Sequence, residues 1–309
     1  MASVAFAGSP PAAATVLRAL VAAGHDIPVV ISQPDRPKGR GGKTVPTAVS
    51  NAAVDLGLEL RRPTSINDAE TLDELAALDI AAVCVVGFGQ ILRERLLTSW
   101  PCINVHFSIL PAYRGAAPVE RALMDGCAET GVTIMRMDAG LDTGPIISIG
   151  RIAVGSDEDA GSLLERLAVC GGQLLNTALA DVSAATLSSR DQPDDGVSLA
   201  PKISGADIAL DFGQAAASVA NRIRALSPHI GAACLIDGQR FKLWAARSVQ
   251  ARGLQSGMAW VEDSRLLVQC GDGALEISEL QPPNRSRMSA AEFLRGWRGG
   301  LEFGQIPGT

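Results

Sequence analysis

Asn104 and His106 stand two positions apart in Cys102-Ile103-Asn104-Val105-His106-Phe107-Ser108-Ile109-Leu110-Pro111, whose apolar, β-branched start reads as a strand. Residues two apart on a strand share a face, so an amide and an imidazole point the same way. At the carboxyl edge of an open α/β sheet, where ligands bind, such a pair suits an oxygen that gains negative charge, because both groups can donate to it. Further along, Asp138-Ala139-Gly140-Leu141-Asp142-Thr143-Gly144-Pro145 is a Gly-rich acidic turn between apolar runs, a shape that could present a carboxylate to His106. Taken singly, a strand histidine is more often structural and an Asp in such a turn more often holds backbone. Together they reach further. The chain has three histidines, and neither His25 nor His229 lies in comparable surroundings. No serine or cysteine nucleophile motif accompanies the set.

Two other motifs are weaker. Gly87-Phe88-Gly89 resembles the start of a dinucleotide-binding G-x-G-x-x-G, but the third glycine position holds Leu92 and no acidic residue stands where a ribose partner is needed. Gly42-Lys43-Thr44 resembles the end of a phosphate-binding loop, but Pro37 takes the leading glycine position. Pro46 then falls where the following helix should already run. A nucleotide triphosphatase centred on Lys43 is the reading from a different class.

The elements that must position these residues follow from periodicity. Residues 4–7, 27–31, 80–86 and 103–106 read as strands alternating with helices over 10–23, 46–56, 68–78, 118–125 and 158–179, the pattern of a parallel sheet covered by helices. Ser9 is placed to cap the first helix with Pro10 at its first position. Around 184–205 the chain becomes polar and turn-forming, which marks a linker. After a helix over 214–226 come short strands at 232–236, 241–245, 258–261, 266–270 and 275–277, whose even spacing suggests a small barrel. Ser289 and Glu292 form a capping box ahead of a last short helix.

With 309 residues, 47% hydrophobic and 19% charged, the chain can bury a full core. Its six scattered cysteines suggest neither disulfides nor a zinc site, and reduced thiols in a cytoplasm are the simpler reading. No apolar run is long enough for a membrane span, and Gly8-Ser9-Pro10-Pro11 breaks the N-terminal stretch where a signal peptide would be continuous. The formal charge is −6, yet from Lys202 onward 12 Lys and Arg face 10 Asp and Glu, with the positive charge clustered in 222–247 and 285–298. Those clusters could make one basic surface if the segments fold together.

At this point the sequence resembles a known family. Asn104 to Pro111, continuing through Arg114-Gly115-Ala116-Ala117-Pro118, with Glu129 to Met135 and Asp138 to Gly144, is similar to methionyl-tRNA formyltransferases. So are Phe6-Ala7-Gly8-Ser9-Pro10 and the Gln33-Pro34-Asp35-Arg36-Pro37-Lys38-Gly39-Arg40-Gly41 stretch, with weaker similarity after residue 205.

The resemblance implies an α/β chain with a Rossmann-like, parallel-sheet formyltransferase domain (residues 1–185), a linker (186–204) and an OB-like β-barrel that binds tRNA (205–309). It implies formyl transfer from 10-formyltetrahydrofolate to the α-amine of methionine on initiator methionyl-tRNA, by a cytoplasmic monomer that calls for no metal and no membrane. Asn104, His106 and Asp142 match the catalytic positions. Ser108, Ile109, Leu110 and Pro111 match a folate-lining segment, and the backbone around Phe88 and Gly89 matches a loop facing the pteridine. Arg36, Lys38, Arg40 and Lys43 match a basic loop that enters the tRNA acceptor arm, with Arg40 at its tip and four basic residues against one acidic. The loop's glycines and scant apolar surface suggest that a polyanion orders it. Departures from the family pattern stand at Ala112, Tyr113 and Ser227-Pro228-His229-Ile230, and the same trio would also fit glycinamide ribonucleotide and sugar-amine formyltransferases.

Overall fold

The computed structural model describes residues 1–38 and 43–306. The chain divides into two compact units, the first built from 1–115, 130–152 and 164–199 and the second from 116–129, 153–163 and everything from 200 onward.

The first unit holds a seven-stranded sheet in the order Ile146–Ala153, Glu129–Arg136, Cys102–His106, Ala82–Val86, Ser3–Gly8, Asp26–Ile31 and Leu60–Arg61. The five strands from Cys102–His106 to Leu60–Arg61 pair in parallel. Ala82–Val86 and Cys102–His106 are buried along their whole length, which is why Ala82–Val86 reads as an unbroken apolar run, whereas Cys102–His106 alternates apolar residues with Asn104 and His106. Glu129–Arg136, a strand not among those read from the sequence, runs antiparallel to Cys102–His106. The helix between them in sequence, Pro118–Met124, belongs to the second unit. It is not the covering helix of a parallel crossover, and an antiparallel edge on a parallel sheet results.

The first helix, Pro11–Ala22, starts one residue later than expected. Pro10 is its N-cap, Pro11 takes the first helical position and no side chain caps it. The Ser9 hydroxyl instead accepts from the Gln33 amide at 3.3 Å. Thr47 and Asp68 do cap, each accepting from the backbone N–H three residues on. Buried His25 accepts from Ala2 N at 3.2 Å through Nδ1 and meets Asn176 Oδ1 at 2.7 Å through Nε2. Both ring nitrogens are engaged, so it is a structural histidine.

The polar stretch expected as a linker lies against the first unit as far as Leu199. Arg190 and Ile146 exchange backbone bonds at 2.7 and 2.9 Å, and Leu199–Ala200 pairs with Arg114–Gly115. Hydrogen bonds, not an apolar face, hold this segment, so it carries no periodicity for sequence reading to find.

The second unit is an antiparallel sheet in the order Ala259–Glu262, Arg265–Gln269, Ala274–Gln281, Gln239–Val249, Ala232–Ile236 and Phe303–Gly304. Its two ends meet, because Met258 bridges Glu302 and Ala259 N donates to Leu301 O. The sheet therefore closes as a small barrel, removing its edges. Leu243, Leu266, Val268, Leu275, Ile277 and Leu280 fill the interior, with Phe241 edge-on to Phe293 at 5.6 Å and Phe212 edge-on to Phe303 at 5.5 Å. The Ser289 and Glu292 capping box starts helix Ala290–Gly296 as expected.

Within this unit the early helix Pro118–Met124 is fastened by Arg121, which donates to both Asp207 oxygens at 2.6 and 2.9 Å and to Pro201 O at 3.1 Å. The guanidinium holds the Asp207 carboxyl well below the usual carboxylate range, aided by Ser204. A depressed value stabilises the fold above the unfolded carboxylate value near 3.9, and the gain is lost as pH falls through the folded value. Asp207→Asn should therefore lower the unfolding free energy by about 2 kcal/mol at neutral pH, the scale of a charged hydrogen bond. In denaturant titrations at several pH values, the gap to wild type should shrink below about pH 4.

Candidate active site

Asn104 and His106 lie on the central strand Cys102–His106, both buried and facing one side. The antiparallel neighbour sets Thr133 opposite His106 and Met135 opposite Asn104. Among the described residues the Asn104 amide has no hydrogen-bond partner, so its donors are free for a ligand.

His106 is held on both edges. Nε2 lies 2.9 Å from Tyr113 O, and a carbonyl only accepts, so Nε2 carries a proton. Nδ1 lies 3.6 Å from Asp142 Oδ2, an ion-pair contact longer than a hydrogen bond. The ring thus faces an oxygen on each side, with Nε2–H donating to the Tyr113 carbonyl and Nδ1 turned toward the Asp142 carboxylate.

Each acceptor is presented by unusual backbone. Tyr113 and Asp142 have φ of 61° and 53°, in the left-handed region that non-glycine residues rarely adopt. The Asp142 carboxylate accepts from Gly115 N at 2.8 Å. Its turn needs Gly144, whose added Cβ would stand 1.9 Å from Arg136 O. Asp138 closes the other side of the turn by accepting from Gly140 N at 3.0 Å and Thr143 Oγ1 at 2.7 Å.

The segment after the strand is locked by hydroxyls. Thr133 Oγ1 donates to Ser108 O at 2.7 Å and accepts from Leu110 N at 3.0 Å, and Ser108 Oγ donates to Ala112 O at 2.6 Å. Ser108 is fully buried and spends its hydroxyl on the backbone of its own segment. Ile109, Leu110 and Pro111 line a cavity of about 570 Å³, with Ile146, Ile149 and Arg190. Phe88 and Gly89 line a different hollow of about 680 Å³, alongside Pro10, Gln33 and Asn51. The Phe88 side chain is core, and its carbonyl accepts from Gln33 Nε2 at 3.1 Å.

Of the expected tRNA-contacting residues, Arg36 and Lys38 lie on strand Arg36–Lys38 and Lys43 on strand Lys43–Val45, an antiparallel pair with Lys38 opposite Lys43. Exposed Arg36 donates to Gln33 Oε1 at 3.2 Å, and Arg40 lies outside the described residues. Lys43 starts a strand, not the helix that a phosphate-binding loop requires, which removes the triphosphatase reading. Burial pushes the Cys102 thiol, near Asn104 on the strand, up to about 12. It is no nucleophile at neutral pH.

Sequence reasoning missed the residues behind the trio. Gln192 Nε2 donates to Asp142 O and to Gly144 O, each at 2.8 Å, while its Oε1 accepts from Arg114 Nε at 3.1 Å and Nη2 at 2.6 Å. Ser198 Oγ accepts from Tyr113 N at 2.9 Å. Both sit in the polar stretch read as a linker, where no pattern distinguishes a bracing side chain from a solvated one.

Comparison with known proteins bears on this arrangement. The formyl transferase family model matches residues 2–179, and the formyl transferase C-terminal domain model matches 202–298. The methionyl-tRNA formyltransferase of Dechloromonas aromatica is 41% identical over 293 residues, spanning 94% of each chain. That of Ruegeria pomeroyi is 43% identical over 296 residues, spanning 95% of this chain and 97% of the relative. Among solved structures, an N-formyltransferase from Helicobacter canadensis in complex with folinic acid and dTDP-3-aminofucose shares the fold at 18% identity. Its TM-score is 0.68, over 91% of this chain and all of that one (100%). Both family models and full-length relatives above 40% identity lead to one conclusion: the chain belongs to the methionyl-tRNA formyltransferase family.

Proposed function

We propose that the chain transfers the formyl group of 10-formyltetrahydrofolate to the α-amine of methionine on initiator methionyl-tRNA, releasing tetrahydrofolate for further one-carbon loading. The observation that carries the reading is His106, set between Asp142 and the Tyr113 carbonyl on the same strand face as the unengaged Asn104 amide. Membership of the family supplies the donor and acceptor.

The amine lone pair attacks the formyl carbon, a C–N bond forms and the carbonyl oxygen takes up negative charge. Asn104 and Nδ1–H of His106 donate to that oxygen. Preorganised donors of this kind typically contribute a few kcal/mol each. The carbonyl then re-forms as the bond from carbon to the folate N10 breaks. Asp142, beside His106, balances the imidazolium charge and takes the proton that the amine sheds, directly or through water, for return to N10. Protons and electrons balance without a redox partner.

The basic segment containing Arg36, Lys38, Arg40 and Lys43 serves the RNA side of the reaction by contacting the acceptor arm. A charged-tRNA substrate used to begin translation sets the reaction in the cytoplasm.

Formyl transfer to charged initiator tRNA is the direct assay. Asn104→Ala, His106→Ala and Asp142→Asn should each lower kcat by at least about a hundredfold while circular dichroism and melting stay near wild type. Near-normal turnover by His106→Ala would overturn the assignment. Separately, Arg40→Leu should raise KM for tRNA roughly tenfold, the scale of one lost RNA contact, and leave folate binding unchanged. Wild-type tRNA kinetics across a range of salt would remove the loop from substrate recognition.

A further inference from the structure

Both oxygens that flank His106 are held from behind by one stretch of chain. Gln192 grips the Asp142 turn and Ser198 grips Tyr113. In the first unit the segment continues as a strand partner of Arg114–Gly115, since Arg114 N donates to Ser198 O at 2.9 Å.

The orientation of the Gln192 amide is fixed by its neighbours. Arg114 offers only donors, so the amide oxygen must face it, and the NH₂ then faces the two carbonyls of Asp142 and Gly144. The amide gives two hydrogen bonds and accepts two, and none of the four goes to solvent. Asp142 is thereby held at both ends, by Gly115 N on its carboxylate and by Gln192 on its carbonyl. A non-glycine residue in the left-handed region relaxes unless its surroundings impose the conformation. The four-bond amide is one of the groups that impose it, beside the Gly115 N–H and the Asp138 bonds.

We propose that Gln192, seconded by Ser198, is a positioning residue for formyl transfer: it sets the Asp142 carboxylate against His106 without touching substrate. The proposal rests on the function stated above, because it concerns the same site. A displacement of about 1 Å in such a group can cost roughly a hundredfold in rate, and loss of an outer partner of a reactive group typically costs about tenfold to a hundredfold.

The test compares Gln192→Leu, which removes all four bonds, with Gln192→Glu, which keeps an acceptor for Arg114 but cannot donate to the two carbonyls. Ser198→Ala probes the Tyr113 side. Three quantities are read on the full chain: kcat and KM for both substrates, the melting temperature, and the ¹⁵N resonances of the histidine rings. Both Gln192 variants should lose kcat by roughly tenfold to a hundredfold with KM for the folate donor changed by less than about threefold. The His106 ring signals should move while those of His25, engaged by Ala2 and Asn176, stay in place.

Wild-type kcat in Gln192→Glu would overturn the proposal, showing that contact with Arg114 alone suffices. A lowered melting temperature with unchanged kcat and unmoved His106 signals would overturn it too, reducing the residue to a structural tie. Should Gln192→Leu fail to fold, Gln192→Glu and Ser198→Ala still decide the question. If the wild-type chain forms no formyl-methionyl-tRNA, the functional reading fails, whereas the His106 resonances still report whether Gln192 positions the ring's partner.

Discussion

An imidazole with an oxygen acceptor against each edge is an unstable arrangement unless those oxygens are held independently of the ring. His106 has a backbone carbonyl on one side and a carboxylate on the other. Neither comes from its own strand. The sheet can place the ring, because Cys102–His106 is buried end to end between two neighbours, but it cannot place Tyr113 or Asp142. These arrive on loops, each bent through a left-handed residue, and the remainder of the first unit can be read as what keeps those two bends from relaxing.

The supports differ in kind. Thr133, across the antiparallel pair, turns one hydroxyl into both donor and acceptor and thereby freezes the segment 108–112 from below. Had this neighbour been parallel like the others, the register that sets Thr133 opposite His106 would not exist. The Asp142 turn is tightened by Gly144 and Asp138 and tied to Gly115. Against this rigidity the buried Asn104 amide makes no hydrogen bond among the described residues. Its donors therefore stay available to a ligand.

Much of this was legible in the sequence. Alternation on a strand was enough to pair Asn104 with His106, and the glycines around Asp142 marked a turn that presents a carboxylate. Family likeness then added the chemistry. What stayed hidden was of two sorts. Strand direction at Glu129–Arg136 was not readable, because periodicity describes one strand's faces and is silent on its partner. Gln192 and Ser198 were not readable because each makes its contribution through backbone atoms far away in the chain, and polar residues without an apolar face look alike whether braced or solvated. Ser9 differs in kind: its position suits a helix cap, but its hydroxyl accepts from the Gln33 backbone N–H instead.

The chain's two excursions into the second unit carry a consequence for how this protein is made. Residues 116–129 leave a ribosome well before anything past residue 200, yet Val119, Ala122 and Leu123 are buried in a unit whose interior consists of later residues. Vectorial synthesis therefore leaves a nascent chain with an apolar helix in waiting, and a Glu129–Arg136 strand that must find its place before that helix has a home. Non-local contacts of this type slow folding and leave apolar surface exposed in the interval. The last third of the chain then acts on its own earlier segment as a chaperone would, covering a surface that was translated too soon to cover itself.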